Sequence, residues 1–147
     1  MGKRINIGET EPLAFKAMYG LEGYLAKAEI SRTLKELIKI RASQINNCAY
    51  CIDMHTKDAI KNGESNQRIF LVSAWREATK FFTEEEQIVL EMTEEITLIH
   101  QHGLSDEMYR KASSIFSENQ IAQIIMAIVI INSWNRIAVS THQEIEE

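Results

Sequence analysis

Apolar residues recur at spacings of three and four along nearly the whole chain, and no stretch alternates apolar and polar positions for long, so the pattern predicts helices almost throughout. A first helix is predicted over Leu13–Ala28, carrying Leu13, Ala17, Leu21 and Leu25. Ser31 is placed to cap a second, because its hydroxyl can accept a free N–H of the first turn; the stripe behind it is Leu34, Leu37, Ile38, Arg41, Ala42 and Ile45. Arg41 is a charge inside that stripe, which a plain core face would not contain. Asn46-Asn47 interrupts the periodicity, and a third helix runs from about Cys48 to Asn62. Asn62-Gly63 would suit a hairpin between strands, but helical spacing flanks it on both sides, so Gly63 reads as a residue that ends a helix.

Gln67–Phe82 reads as one helix or two short ones, with Ile69, Phe70, Val72, Trp75 and Phe81 as core candidates. Thr83 followed by Glu86 is a capping box ahead of Ile88, Leu90, Met92, Ile96 and Ile99, and Gly103 ends that helix. Ser105 starts the next, with Asp106 and Glu107 at the end where the helix dipole favours negative charge. Ser117-x-x-Gln120 opens the last, from Glu118 to about Gln143. From Ile121 to Ile131 it is apolar on nearly all sides, as expected of a central core helix or one shared with another subunit. No repeat, linker or low-complexity tract divides the chain, and residues 1–147 are expected to form one all-α domain, a single-domain helical bundle.

Composition narrows the functional classes. Hydrophobic residues at 45% and charged residues at 25% exclude a disordered chain. A net charge of −5 leaves no electrostatic footprint for nucleic acid or an anionic membrane. The opening MGKRINIGETEP has no apolar stretch behind its basic pair, so no signal peptide is expected. The most apolar segment, Ile121–Trp134, contains Gln123 and falls short of the roughly 20 residues of a spanning helix. The expectation is a soluble, cytoplasmic protein with no nucleic-acid or membrane partner.

The candidate chemistry lies in Arg41–His55. The only two cysteines, Cys48 and Cys51, form a C-x-x-C, too close together to staple a secreted scaffold. At about 100° per residue, Cys51 lies about 60° and His55 about 20° from Cys48 around a helix, so all three project from one face. Both cysteines sit in the first turn, where free N–H groups and the dipole favour a thiolate. His55 follows Cys51 by four residues, close enough to exchange a proton directly or through a water. A thiolate nucleophile, a thiol to resolve it and a nearby base make a redox-active dithiol.

Other readings compete. Cys48, Cys51 and His55 could be three zinc ligands, with a fourth from Glu36, His100, His102 or His142, none at a telling spacing. The cysteines could also pack as small hydrophobes. Haem attachment is excluded, since Ile52 stands where C-x-x-C-H needs its histidine.

The string R-x-S-Q-I-N-x-C-x-Y-C-x-D-M-H at Arg41–His55 resembles the core motif of the alkyl hydroperoxidase D-like family, within the carboxymuconolactone decarboxylase superfamily. The likeness spans about Leu34–Ala59 and returns at Ile131–Arg136. It implies an all-helical fold assembling as homotrimers or homohexamers, and a thiol-dependent peroxidase acting on organic hydroperoxides or hydrogen peroxide, with a dithiol or a reductant protein as electron donor. It implies no metal, flavin or nucleotide cofactor. A thiol–disulfide adaptor for a partner protein, or a non-catalytic zinc-binding or oligomeric module, are the alternatives. By the resemblance Cys51 is peroxidatic and Cys48 resolving, and Glu36, twelve residues before Cys48, joins them and His55 in a proton relay. Periodicity alone would not choose Glu36, which projects about 160–170° from the Leu34, Leu37, Ile38 stripe and reads as a solvated residue beside Lys35 and Lys39. If Glu36 is in the site, that second face must be covered, for instance by a neighbouring subunit. Tyr50 replaces a histidine that familiar members carry before the second cysteine.

The remaining polar candidates have plainer readings. His100 and His102 suit a helix C-terminus, and His142 falls in a tail. Asp53, Trp134 and Arg136 read as structural, although Arg136 could neutralise Glu36 or Asp53. The six methionines, Met54 among them, read as core filler.

Overall fold

Side-chain caps begin most of the helices, and they are largely the residues the pattern singles out. The computed structural model describes residues 4–146, and the regular elements among them are all helical. The basic pair of the opening stretch loses Lys3 to the undescribed residues. A short α1 (Ile7–Thr10), which periodicity does not predict, precedes α2 (Pro12–Lys27), where proline takes the first-turn position that needs no N–H. The Ser31 hydroxyl accepts from Leu34 N–H at the start of α3 (Arg32–Ile45), and α4 (Ala49–Lys61) follows after a tight turn. Asn62 closes α4, and Gly63 beyond it takes φ +98°, the left-handed conformation glycine adopts freely.

The Gln67–Phe82 segment resolves into α5 (Asn66–Leu71) and two 3₁₀ turns, Val72–Glu77 and Thr79–Phe81. Ile69, Val72 and Trp75 are buried, whereas Phe70 points outward at 76% exposure and is not a core residue. The capping box of Thr83 and Glu86 starts α6 (Glu84–Thr97). That helix stops short of expectation: a turn intervenes before Gly103, at φ +67°, and Ile99 lies exposed in it. Ser105 caps α7 (Asp106–Ile115), and Ser117 with Gln120 caps α8 (Glu118–Thr141). His142 ends α8 in the left-handed region, one residue before the expected end at Gln143.

α8 is the central core helix. By length and composition it is long enough to cross a bilayer, unlike the shorter segment expected from the sequence. Its Ile121, Ile124, Ala127, Ile128, Ile130 and Ile131 are buried against α3, α6 and α7 residues, which is the placement of a core helix. Each of these isoleucines contributes roughly 1.5–3 kcal/mol on burial. α3 feeds both halves of the interior: Leu34, Ile38 and Ala42 face α8, while Leu37 and Ile40 face Trp75, Val72 and Ala59. It is therefore wrapped on several sides by α4, α6 and α8. α2 is the opposite case, burying only Leu25 and leaving Leu13, expected in its stripe, 78% exposed.

Candidate dithiol site

The site is built on the α3–α4 hairpin. Asn46 closes α3 and Asn47 turns the chain at φ +51°, a left-handed position that asparagine tolerates better than most residues. Cys48 is the N-cap of α4: its N–H donates to Ser43 O at 3.0 Å, and its Sγ accepts from Cys51 N–H at 3.3 Å. Cys48 and Cys51 are joined as a disulfide, Cα atoms 5.3 Å apart, and both are buried. His55 lies one turn further along the same face and is also buried.

A polar network fastens this turn to the core. Asn46 Nδ2 donates to Asn132 Oδ1 and Asn135 Oδ1, each at 2.9 Å. Asn135 Nδ2 donates to Ser43 Oγ at 3.0 Å, and Asn132 Nδ2 to Thr97 Oγ1 at 3.0 Å. Helices α3, α6 and α8 thus meet through amides and hydroxyls beside the cysteine turn. Periodicity had no use for these residues, yet asparagines at two positions of an otherwise isoleucine-rich helix are a signal, because buried polar groups need partners.

Burial first, and the Lys39 charge second, hold His55 well below the usual imidazole range, at about 4. The side chain is therefore neutral at pH 7. Glu36 is 8% exposed, which overturns the solvated-face reading from periodicity; α4 of the same chain packs on that side of α3, so no neighbouring subunit is needed to cover it. Its Oε1 accepts from Asn62 Nδ2 at 2.7 Å, and Asn62 Oδ1 accepts from Arg32 Nη1 at 3.0 Å. Among the described residues no hydrogen bond joins Glu36 to His55. The structure thus carries Cys48, Cys51 and His55 at the N-terminal half of α4, while the Glu36 carboxylate is engaged by Asn62 at the far end of that helix.

The other singled-out residues fall elsewhere. Arg41 answers the charge in the apolar stripe: its Nε donates to Glu94 Oε1 at 2.9 Å, and that carboxylate also accepts from Trp75 Nε1 and Arg76. Hydrogen bonds from these three donors outweigh burial and hold the Glu94 carboxyl below its usual range. Asp53 pairs with Lys57 at 2.8 Å, and Arg136 donates to Asn132 rather than to Glu36 or Asp53. Trp134 packs on Phe15 and Tyr19, its indole donating to Glu22 Oε1 at 3.0 Å. Met54 is exposed and fills no core. His100 and His102 are exposed in the turn after α6, and among the described residues no three His, Cys, Asp or Glu side chains form a group that could hold a metal ion.

Comparison with known proteins gives this arrangement a context. The model of the carboxymuconolactone decarboxylase family matches residues 12–94, which include α3, α4 and the dithiol. The uncharacterised protein YdfG of Bacillus subtilis (strain 168) is 44% identical over 140 residues, 95% of each chain. A crystal structure of an Agrobacterium tumefaciens protein of unknown function, for which a role as the antioxidant defence protein AhpD has been suggested, superposes with a TM-score of 0.94 at 39% identity over 99% of both chains. The debrominase Bmp8 shares the fold, with a TM-score of 0.82 at 22% identity, over 95% of this chain and 74% of its own.

Proposed function

The chain belongs to the carboxymuconolactone decarboxylase family, and within it we propose that this protein is a thiol-dependent peroxidase of the alkyl hydroperoxidase D-like, peroxiredoxin-like kind. The observation that carries the reading is the Cys48–Cys51 disulfide at the start of α4, with a neutral imidazole one turn away on the same buried face. A dithiol whose two sulfurs lie within one helical turn suits a catalytic cycle between oxidised and reduced forms.

In the reduced protein, His55 accepts the Cys51 proton. A thiolate beside an imidazole favours its charged form, so reduction lifts the value that burial holds at about 4. The thiolate attacks the peroxide O–O bond and takes one oxygen, giving a sulfenic acid; the departing alkoxide or hydroxide takes up a proton and leaves as alcohol or water. The Cys48 thiol then attacks that sulfur, releasing water and forming the disulfide. A dithiol, free or carried by a reductant protein, returns both sulfurs to thiols as it becomes a disulfide itself. Glu36 is a positioning residue at the α4 C-terminus, acting on the α3–α4 seam through Asn62. The reading extends to a cytoplasmic homotrimer or homohexamer.

Single-cysteine variants test it. Cys48→Ser should accumulate a sulfenic acid on Cys51 under limiting hydroperoxide, trapped by a dione reagent and located by mass spectrometry. Cys51→Ser should leave Cys48 far slower to oxidise, because Cys48 is about 10 Å of helix rise from His55. A general base commonly contributes about 10²–10⁴-fold, against about 0.3–1 kcal/mol for the dipole advantage of Cys48. Equal reactivity of the two variants, or a wild type that consumes no hydroperoxide with any dithiol, would overturn the proposal.

A further inference from the structure

Lys39 has no part in the relay described above, yet it sits in the middle of it. On α3, positions 36, 39 and 43 share one face, since each step is close to a whole turn. The two ends of that face are fixed: Glu36 meets Asn62 at the end of α4, and Ser43 O meets Cys48 N–H at its start. The helices therefore run antiparallel, and Lys39 lies across from the middle of α4, where His55 is. From that position its charge adds to burial in holding the His55 imidazole neutral. Lys39 Nζ is 3.6 Å from Glu22 Oε2 of α2, and the Trp134 indole holds the other Glu22 oxygen at 3.0 Å.

We propose that Lys39 is the charge that makes the Cys51 thiol acidic, and that Glu22, held by Trp134, sets how much of that charge the site feels. The proposal rests on the dithiol reading. An ammonium on the face of α3 opposite a buried thiolate favours it over the neutral thiol, commonly by about one unit of pKa. Glu22 opposes Lys39, as a carboxylate shared between an ammonium and an indole. The other charges of the seam are engaged: Lys35 on the Ala28 carbonyl, Glu36 on Asn62, Arg41 on Glu94, Asp53 on Lys57. Lys57, Asp58 and Lys61 lie on the exposed side of α4, and Arg136 of α8 turns to Asn132.

The test is alkylation of the fully reduced protein by iodoacetamide from pH 5 to 10, with Cys51 and Cys48 read separately by peptide mass spectrometry. Lys39→Gln should raise the pH midpoint of Cys51 by about one and slow its alkylation at pH 7 about tenfold, the rates converging above pH 9. Lys39→Arg should stay within about twofold of wild type. Glu22→Gln should move the midpoint the other way and speed alkylation at pH 7. A shared loosening of the fold would push both variants in one direction, so opposite signs carry the inference. An unchanged midpoint in Lys39→Gln, or equal shifts of the same sign in both variants, would overturn it. No peroxide enters the assay: opposite shifts with a wild type that reduces no hydroperoxide would sink the peroxidase and leave Lys39 in its role.

Discussion

Acidification should cost the folded protein a contribution from His55 that a matched variant lacks. The folded imidazole titrates at about 4, against 6.5 for the free side chain. Between those values the unfolded chain binds the proton and the folded one does not, so stability falls as the pH drops through that window. Worked through the linkage relation, the loss relative to pH 8 is about 2 kcal/mol at pH 5 and about 3 kcal/mol at pH 4. That is a large part of the roughly 5–15 kcal/mol that holds a domain together. The assay is urea unfolding of the oxidised protein at one concentration, from pH 4 to 8, beside His55→Asn. Carboxylates titrate alike in both proteins, so the difference between them isolates the imidazole. Wild type should lose about 2 kcal/mol more than the variant between pH 8 and 5, and less than that once the disulfide is reduced and a thiolate can stabilise the imidazolium. A difference flat to within about 0.5 kcal/mol would mean that His55 is not a desolvated neutral base, and the proton transfer from Cys51 would need another acceptor.

Arg41→Ala should destabilise by about 2–3 kcal/mol in urea, because it removes one of three donors to the largely buried Glu94 carboxylate. Thr83→Ala should cost about 1 kcal/mol through the lost cap, with Cys51 reactivity unchanged, since Glu86 remains tied to Arg68. Gly103→Ala should cost about 1 kcal/mol in thermal unfolding, as an added Cβ would sit at φ +67° and 3.3 Å from Ile99 Cδ1. Analytical ultracentrifugation at micromolar concentration should find a trimer or larger, and a clean monomer would contradict that assembly.

Helix starts were the most legible feature, because a capping hydroxyl is both a sequence letter and a local hydrogen bond: Ser31, Thr83, Ser105 and Ser117 each accept the N–H expected of them. Cys48, Cys51 and His55 were legible for a similar reason, since one helix fixes their mutual direction. Glu36 was not. Periodicity assumes one buried face per helix, and α3 packs on several sides, so its second face looked like a solvated one. Phe70 and Leu13 failed conversely: their spacing fits a stripe, but α5 is too short and α2 too peripheral to bury it. Lys39, Asn62, Asn132 and Asn135 carry their meaning in distant partners, Asn62 in Glu36, 26 positions away, and Asn132 and Asn135 in Asn46, 86 and 89 positions away, as Lys39 does in Glu22, and no local window contains both members. Arg41 lay between the two cases. Its oddity was visible in the stripe, and only the fold supplied Glu94 as the reason.

The amides that fasten the cysteine turn come from the last helix of the chain, and this sets an order of events during synthesis. Cys48 and Cys51 leave the ribosome roughly 90 residues before Thr141, on the order of 5–20 s earlier at ordinary elongation rates. The α3–α4 hairpin is local and can form in that interval, but Asn132 and Asn135 cannot yet reach Asn46 and Ser43. A nascent chain therefore displays two thiols on an unsecured turn, where cellular oxidants and other thiols meet them without the finished protein's selectivity. The oxidation state in which the molecule is born is settled by its surroundings, and only docking of α8 transfers that control to the fold.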